Sequence, residues 1–257
     1  MPEQFDAAII GTGQAGPSLA NRLTQAGMKV VVIERGRFGG TCVNTGCMPT
    51  KTLVASAYAA HLVARAAEYG VAIEGRVGID MKTVKARKDA VTGTATKNIE
   101  AWLRSMPGCT VLEGHARFTT AHDIQVGTES VSAKKIFINV GGRALVPQIP
   151  GIADTGYLTN ATIMDLAEVP SHLIVLGGSY IGLEFAQIYR RFGSQVTVIE
   201  AAPRLVPRED EDVSDAIKDI LEGEAIGVRT GTKCSGLKKD GGTIRRRSPS
   251  CRALPFR

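Results

Sequence analysis

The strongest constraint on the fold of this 257-residue chain is a pattern that occurs twice, 166 positions apart. In the first copy the apolar run AAII (7–10) leads straight into Gly11-Thr-Gly13-Gln-Ala-Gly16. A helix-compatible stretch follows to Ala26, then Gly27, then a second apolar run, VVVIE, ending at Glu34. In the second copy HLIVL (172–176) leads into Gly177-Gly178-Ser179-Tyr180-Ile181-Gly182, and then come LEFAQIYRRF, Gly193 and QVTVIE, ending at Glu200. Gly11 and Gly177, Gly16 and Gly182, Gly27 and Gly193, and Glu34 and Glu200 all keep the same offset, and in each copy the acid falls 18 positions after the last glycine. A lone G-x-G-x-x-G says little. Two copies in register, each between a strand and a helix, point to a duplicated supersecondary unit.

The chemistry of that unit follows from its geometry. The first glycine permits a tight turn, the second lets a pyrophosphate approach the backbone, and the third lets helix and strand pack closely. The helix N-terminus offers N–H groups and the positive end of its dipole to the phosphates. The terminal glutamate is placed to accept hydrogen bonds from ribose hydroxyls. The expected fold class is therefore α/β, with two Rossmann-like dinucleotide-binding domains built on parallel sheets. In the second copy Ser179 takes the place of the middle glycine, which tightens the phosphate approach. Glu200 favours NAD, because a carboxylate there repels the 2′-phosphate of NADP. Arg204, four residues on, could offset this, but reads equally as a solvated loop arginine.

Between the copies, residues 50–69 are alanine-rich and read as a helix. Residues 80–104 read as a longer one, with Met81, Val84, Val91, Ala95, Ile99 and Trp102 at helical spacing. After Pro107-Gly108 the runs TVLEG, HARFTT, DIQV and KKIFINV suggest a small antiparallel meander carried by the first domain. The stretch from Gly141 to Gly151 reads as a linker. The expected division is 1–145 for the first domain and 146–240 for an incomplete second one, in which 210–222 form a helix and AIGVRT a strand. The basic tail, 241–257, has no period of either kind and reads as disordered or aberrant.

Composition narrows the partners. Hydrophobic residues make up 44% of the chain, enough for a packed core. No apolar run approaches the roughly 18 residues of a membrane span. The opening MPEQFDAAII has no basic stretch ahead of an apolar one, so a cytoplasmic protein with no membrane association is expected. The net charge of +6 does not point to nucleic acid. Eight of the 31 basic residues and one of the 25 acidic ones lie from Lys233 onward, and the remainder is near neutral, 23 against 24.

The segment GGTCVNTGCMPTK (39–51) carries two of the five cysteines, Cys42 and Cys47. Three readings fit a close pair. A zinc site wants a second close pair, and Cys109, Cys234, Cys251 and the four histidines are scattered singly. A static staple across so short a loop restricts the unfolded chain little. A redox pair has independent support: Cys47 directly precedes Met48-Pro49 at a predicted helix start, where the dipole favours a thiolate. Lys51 sits in the same first turn against the dipole, which suggests an anionic or electron-rich partner, although a solvated lysine would read the same way.

Taken together, the two fingerprints and GGTCVNTGCMPTK resemble the class I pyridine nucleotide-disulfide oxidoreductases, from residue 5 to about 235. The cysteine motif is far more specific than either glycine loop. It is most similar to mercuric reductase-like members, with a dihydrolipoyl dehydrogenase-like enzyme or a non-catalytic dinucleotide-binding remnant as alternatives. The resemblance implies FAD at the first fingerprint, with Gly11, Gly13 and Gly16 on its pyrophosphate and Glu34 on its ribose. It implies that Gly40 and Thr41 line the flavin site and that Gly114 and Ala116 meet the adenine. It implies NAD(P)H at Gly177, Gly178, Ser179, Tyr180, Ile181, Gly182 and Glu200, with Tyr180 gating the nicotinamide pocket. Cys47 would lie next to the flavin and Cys42 would attack substrate, while Lys51 would sit near the flavin ring and pair with Glu184. The implied reaction passes electrons from NAD(P)H by way of FAD to the Cys42–Cys47 disulfide and on to a small-molecule or metal-ion substrate. Family members continue well beyond this chain, into a dimerisation domain that completes a homodimer's active site, so the chain reads as C-terminally truncated. His61, His115, His122 and His172 match no catalytic histidine of that family.

Overall fold

A computed structural model describes residues 2–75, 77–240 and 243–247. The backbone separates into two compact units, residues 1–52 with 86–143, and residues 53–85 with those from 144 onward.

The first unit opens with β1 (Glu3–Ile10), α1 (Ala15–Gln25) and β2 (Val30–Glu34). Pro17 lies in the first turn of α1, where its missing N–H costs no helical bond. Gly27 ends the helix at φ +78°, with Gly27 N donating to Thr24 O and Met28 N to Leu23 O. The short helix α2 (Gly40–Asn44) and the start of α3 (Cys47–Ala64) follow, and then the main part of α4 (Met81–Ser105). The remaining strands are β3 (Cys109–Glu113), β4 (Ala116–Phe118), β5 (Asp123–Val126) and β6 (Glu129–Ile138).

These six strands form one sheet in the order β3-β2-β1-β6-β5-β4. The β3-β2-β1-β6 part is parallel, and β6-β5-β4 is antiparallel. The meander expected from four runs is thus built from β4, β5 and one end of β6. TVLEG instead forms a parallel strand beside β2, and the KKIFI part of β6 pairs in parallel with β1. The strands of a parallel sheet are covered on both faces, so residues 7–10 of β1 and 30–33 of β2 are continuously apolar rather than alternating. Their side chains sort by the two-residue period of a strand: Ala7, Ile9, Val30 and Val32 pack with Ala20, Phe38 and Leu103, while Ala8, Val31 and Ile33 pack with Ile124, Val126 and Val131. Each fully buried Val, Ile or Leu of this set contributes roughly 1.5–3 kcal/mol.

The face that α4 buries matches only in part the one its spacing suggests: Met81 is buried and Val84 packs against a core. Trp102 is 42% exposed and Val91 38%, whereas Leu103 is fully buried and Met106 nearly so. Ile99 keeps its place against the core.

The second unit holds a three-stranded parallel sheet in the order β7-β8-β9, from β7 (His172–Leu176), β8 (Gln195–Ile199) and β9 (Gly227–Arg229). Helix α5 (Tyr180–Phe192) joins β7 to β8, and α6 (Glu211–Gly223) precedes β9. The apolar face of α5, with Leu183, Ala186, Ile188, Tyr189 and Phe192, packs on Val196, Val198, Leu205 and Ile226. The buried Tyr189 hydroxyl donates to Ile163 O at 2.8 Å, and burial pushes its pKa up to about 12. α5 ends as α1 does: Gly193 lies at φ +109°, its N–H donates to Arg190 O, and Ser194 N donates to Tyr189 O.

Part of the tail is ordered into a strand. β10 (Gly236–Asp240) pairs antiparallel with β11 (Thr243–Arg247), the closing pair being Asp240 and Thr243. Residues 241–242 and 248–257 lie outside the described residues. No helix among the described residues is long and apolar enough to cross a membrane.

Candidate functional site

In the first unit the glycine loop follows the carboxyl end of β1, between β2 and β6, which is where the strand order reverses. Open α/β sheets bind ligands at that point. Gly11 N donates to Ile33 O at 2.8 Å, and Gly11 lies at φ +103°. A Cβ on Gly11 would fall on the Asn139 carbonyl oxygen, and one on Gly16 would lie 2.5 Å from Gly11 O. These two glycines are demanded by the protein's own packing. Gly13 is not: the nearest atom to a Cβ there is Asn139 Nδ2 at 3.5 Å, an ordinary contact. Asn139 belongs to no motif of the sequence, yet its Nδ2 donates to Gly11 O and Gly13 O at 3.3 and 3.4 Å and braces the loop. Its partners lie 128 and 126 positions away, so no local signal marks it.

Glu34 ties the loop to β2. Its Oε2 accepts from Thr12 N at 2.9 Å and Thr12 Oγ1 at 2.6 Å, and its Oε1 accepts from Gly36 N at 2.9 Å. Thr12 is fully buried, and its hydroxyl oxygen also accepts from Gly39 N at 3.1 Å. A carboxylate has about four acceptor positions, so among the described residues three are engaged and one on Oε1 remains open.

The same two contacts recur in the second unit. Glu200 Oε2 accepts from Gly178 N at 2.5 Å, and its Oε1 accepts from Ala202 N at 2.7 Å. Gly178 and Ala202 stand 166 positions after Thr12 and Gly36, so the repeat extends to individual hydrogen bonds. Gly177 lies at φ +110° and donates to Ile199 O; a Cβ on Gly182 would lie 2.7 Å from Gly177 O. A Cβ on Gly178 would lie 2.6 Å from the side chain of buried Leu205. Ser179, which matches Gly13, is exposed and occupies the N-cap position of α5 in extended conformation, without a side-chain capping bond. Tyr180 is 69% and Ile181 45% exposed beside it. Arg204 reaches Glu209 O at 3.3 Å, an exposed loop contact.

The cysteine segment belongs to the first unit up to residue 52. Cys42 and Cys47 are joined by a disulfide, with Cα atoms 4.6 Å apart. Cys42 lies in α2 and is half-buried; Cys47 is the first residue of α3 and is exposed. Gly39 and Gly40, at φ +97° and +62°, form the turn into α2, and a Cβ on Gly40 would lie 2.6 Å from Gly13 Cα. The glycine loop and the cysteine segment therefore meet backbone to backbone. Thr41 is exposed next to them, and Lys51 is exposed on α3. Glu184 is half-buried on α5 of the second unit. Gly114, at φ +152°, donates its N–H to Glu34 O, and its missing Cβ is explained by Val126 Cγ1 at 2.7 Å; Ala116 begins β4. No group of three metal-ligating side chains occurs among the described residues.

The first loop fits a dinucleotide. A cavity of about 110 Å³ lies over it, lined among others by Thr12, Gly13, Ser18, Ile99 and Trp102. Among the described residues, α1 has no acid in its first turn and no side-chain cap at its start, and Gly13 leaves open the space a phosphate needs.

A profile of the pyridine nucleotide-disulphide oxidoreductases matches residues 5–250. The chain belongs to this family. It is 38% identical over 232 residues to a probable pyridine nucleotide-disulfide oxidoreductase, RclA, of Escherichia coli (strain K12), covering 88% of this chain and 48% of that protein. It is 35% identical over 242 residues to a mercuric reductase of Streptomyces lividans, covering 92% and 51%. A dihydrolipoyl dehydrogenase of Acholeplasma laidlawii is 32% identical over 234 residues, covering 90% and 69%. The solved structure of the HOCl-induced flavoprotein disulfide reductase RclA superposes with a TM-score of 0.84 at 35% identity, over 96% of this chain and 53% of that one. The chain spans about half the length of the first two relatives. Members of the family use FAD and NAD(P)H.

Proposed function

We propose that the chain carries the FAD site, the nicotinamide-nucleotide site and the redox disulfide of an oxidoreductase that reduces a small-molecule or metal-ion substrate in the manner of mercuric reductase. The observation that carries this reading is the Cys42–Cys47 disulfide on a segment whose Gly40 backs directly onto Gly13 of the nucleotide loop.

Gly11, Gly16 and the helix start after them shape the phosphate cradle, Gly13 leaves room for the phosphates, and the open acceptor position on Glu34 takes a ribose hydroxyl. Gly40 and Thr41 border the flavin, with Gly114 and Ala116 toward the adenine. Gly177 to Gly182 and Glu200 hold the nicotinamide nucleotide, and Tyr180, exposed at the start of α5, covers its reactive end. Lys51 takes the place near the flavin ring that the resemblance implies. Bound FAD supplies a two-electron carrier between nicotinamide and sulfur chemistry.

The disulfide accepts two electrons from NAD(P)H, together with the proton that balances the reaction. The S–S bond breaks and leaves one thiol, on Cys42, and one thiolate, on Cys47. Cys47, at the first position of α3, is stabilised as a thiolate by the helix dipole. Cys42 becomes the thiol that attacks substrate.

The identity of the substrate separates two readings. The mercuric reductase and the dihydrolipoyl dehydrogenase are similar to this chain at 35% and 32% identity. A soft metal ion and a small dithiol–disulfide couple are therefore the two substrate classes, the former placed first on the cysteine motif. The test is the visible spectrum of the FAD-loaded chain after two-electron reduction. The proposal expects a long-wavelength absorption band that is lost in Cys47→Ser. A wild-type spectrum without that band would sink it.

A further inference from the structure

Asn44 lies inside the disulfide loop, two residues after Cys42 and three before Cys47. Its Nδ2 donates to Phe38 O at 2.9 Å and to Gly40 O at 3.0 Å, with a longer contact to Arg37 O at 3.5 Å. Its Oδ1 accepts from the Thr96 hydroxyl of α4 at 3.0 Å. Both amide hydrogens are thereby engaged inside the protein, which suits a brace rather than a ligand contact. The points it joins are informative: the glycine turn that launches α2, and a helix 52 positions away that also lines the cavity over the nucleotide loop through Ile99 and Trp102.

We infer that Asn44, anchored by Thr96, is a positioning residue that keeps Cys42 and Cys47 within bonding reach after the disulfide opens, and so sets the redox equilibrium of the pair. The inference rests on the redox reading proposed above. Reduction by a dithiol such as dithiothreitol breaks the Cys42–Cys47 bond and gives each sulfur a proton. Two electrons pass from the reductant, which loses its two thiol protons and closes to its own disulfide. The equilibrium depends on how concentrated each protein thiol is at the other. A braced loop holds that effective concentration high and resists reduction. A loop cut loose gains backbone freedom in the dithiol state, which favours the open form.

The experiment equilibrates the whole chain in dithiothreitol buffers of graded poise, traps free thiols by alkylation and weighs the tryptic peptide 38–51. Cleavage after Arg37 and Lys51 isolates both cysteines from the other three. Asn44→Ala and Thr96→Val are expected to shift the equilibrium roughly three- to tenfold toward the dithiol. Thr96→Ser, which keeps the hydroxyl, is expected to titrate with wild type. A merely structural role would lower the melting temperature without moving the midpoint. The inference is overturned if folded Thr96→Val titrates with wild type and Thr96→Ser, and this comparison decides the matter even where Asn44→Ala does not fold. If the wild-type pair shows no reversible two-electron titration, the redox reading itself falls, and the brace falls with it.

Discussion

Gly13 and Gly16 are both glycines of one loop, but different forces require them. A methyl group on Gly16 would meet the Gly11 carbonyl oxygen at 2.5 Å, a backbone atom that cannot turn away. Gly16→Ala should therefore destabilise the first unit by about 2–3 kcal/mol, read from chemical denaturation. A methyl group on Gly13 meets nothing closer than 3.5 Å, so Gly13→Ala should fold within about 1 kcal/mol of wild type. Its FAD affinity, read by quenching of flavin fluorescence, should fall about tenfold or more, because the methyl occupies the phosphate approach. Ser179, a natural side chain at the matching position of the second loop, shows that the backbone there accepts one. Glu34 shows where residue-level reading stopped short. The ribose role proposed for it follows from its place at the end of β2, but its bonds to Thr12 and Gly36 are not legible, because their donors are mostly backbone N–H groups common to every residue type. Glu34→Gln turns an amide NH₂ toward those donors and should cost about 2 kcal/mol in a denaturation series before any cofactor is added.

At the scale of elements, local periodicity located the helices well and their buried faces less well. α4 runs as its spacing predicts, but Leu103 rather than Trp102 faces the core, because the packing partners on β1 and β2 choose the face. The pairing of TVLEG was illegible for a similar reason. Parallel neighbours are distant in sequence, and a short apolar run looks alike in a meander and beside β2. The clamp that fastens α5 to the chain after α6 was also invisible. Arg191 Nε and Nη2 donate to Glu224 Oε2 and Oε1 at 2.9 and 2.6 Å, Gln187 Nε2 adds a bond at 2.7 Å, and Arg190 Nε reaches Glu224 O. Burial pushes the Glu224 carboxyl up, but the Arg191 bond and charge, with His61 and Gln187, outweigh it and hold it below its ordinary 4.5. The unfolded chain thus binds this proton more readily. The stabilisation is complete above about pH 4.5 and is lost as pH falls through the lowered folded value. Glu224→Gln should cost about 2 kcal/mol at pH 7, and the gap to wild type should narrow in melts taken below pH 4.5.

At the scale of the whole molecule, the repeat was the most legible feature, and the structure carries it down to single bonds. Thr12 and Gly178 donate to matching glutamates, Gly36 and Ala202 do the same, and both helices end on the same pair of reverse-turn bonds. One chain so holds two nucleotide-binding frameworks, of which the first abuts a disulfide. The central claim is that electrons from a nicotinamide nucleotide reach that disulfide through this arrangement. The most direct measurement adds NADH anaerobically to the FAD-loaded chain, alkylates it, and counts labels on the peptide 38–51. Two labels are expected with FAD and NADH together, and none with NADH alone. A peptide that stays disulfide-linked in the FAD-loaded chain would contradict it.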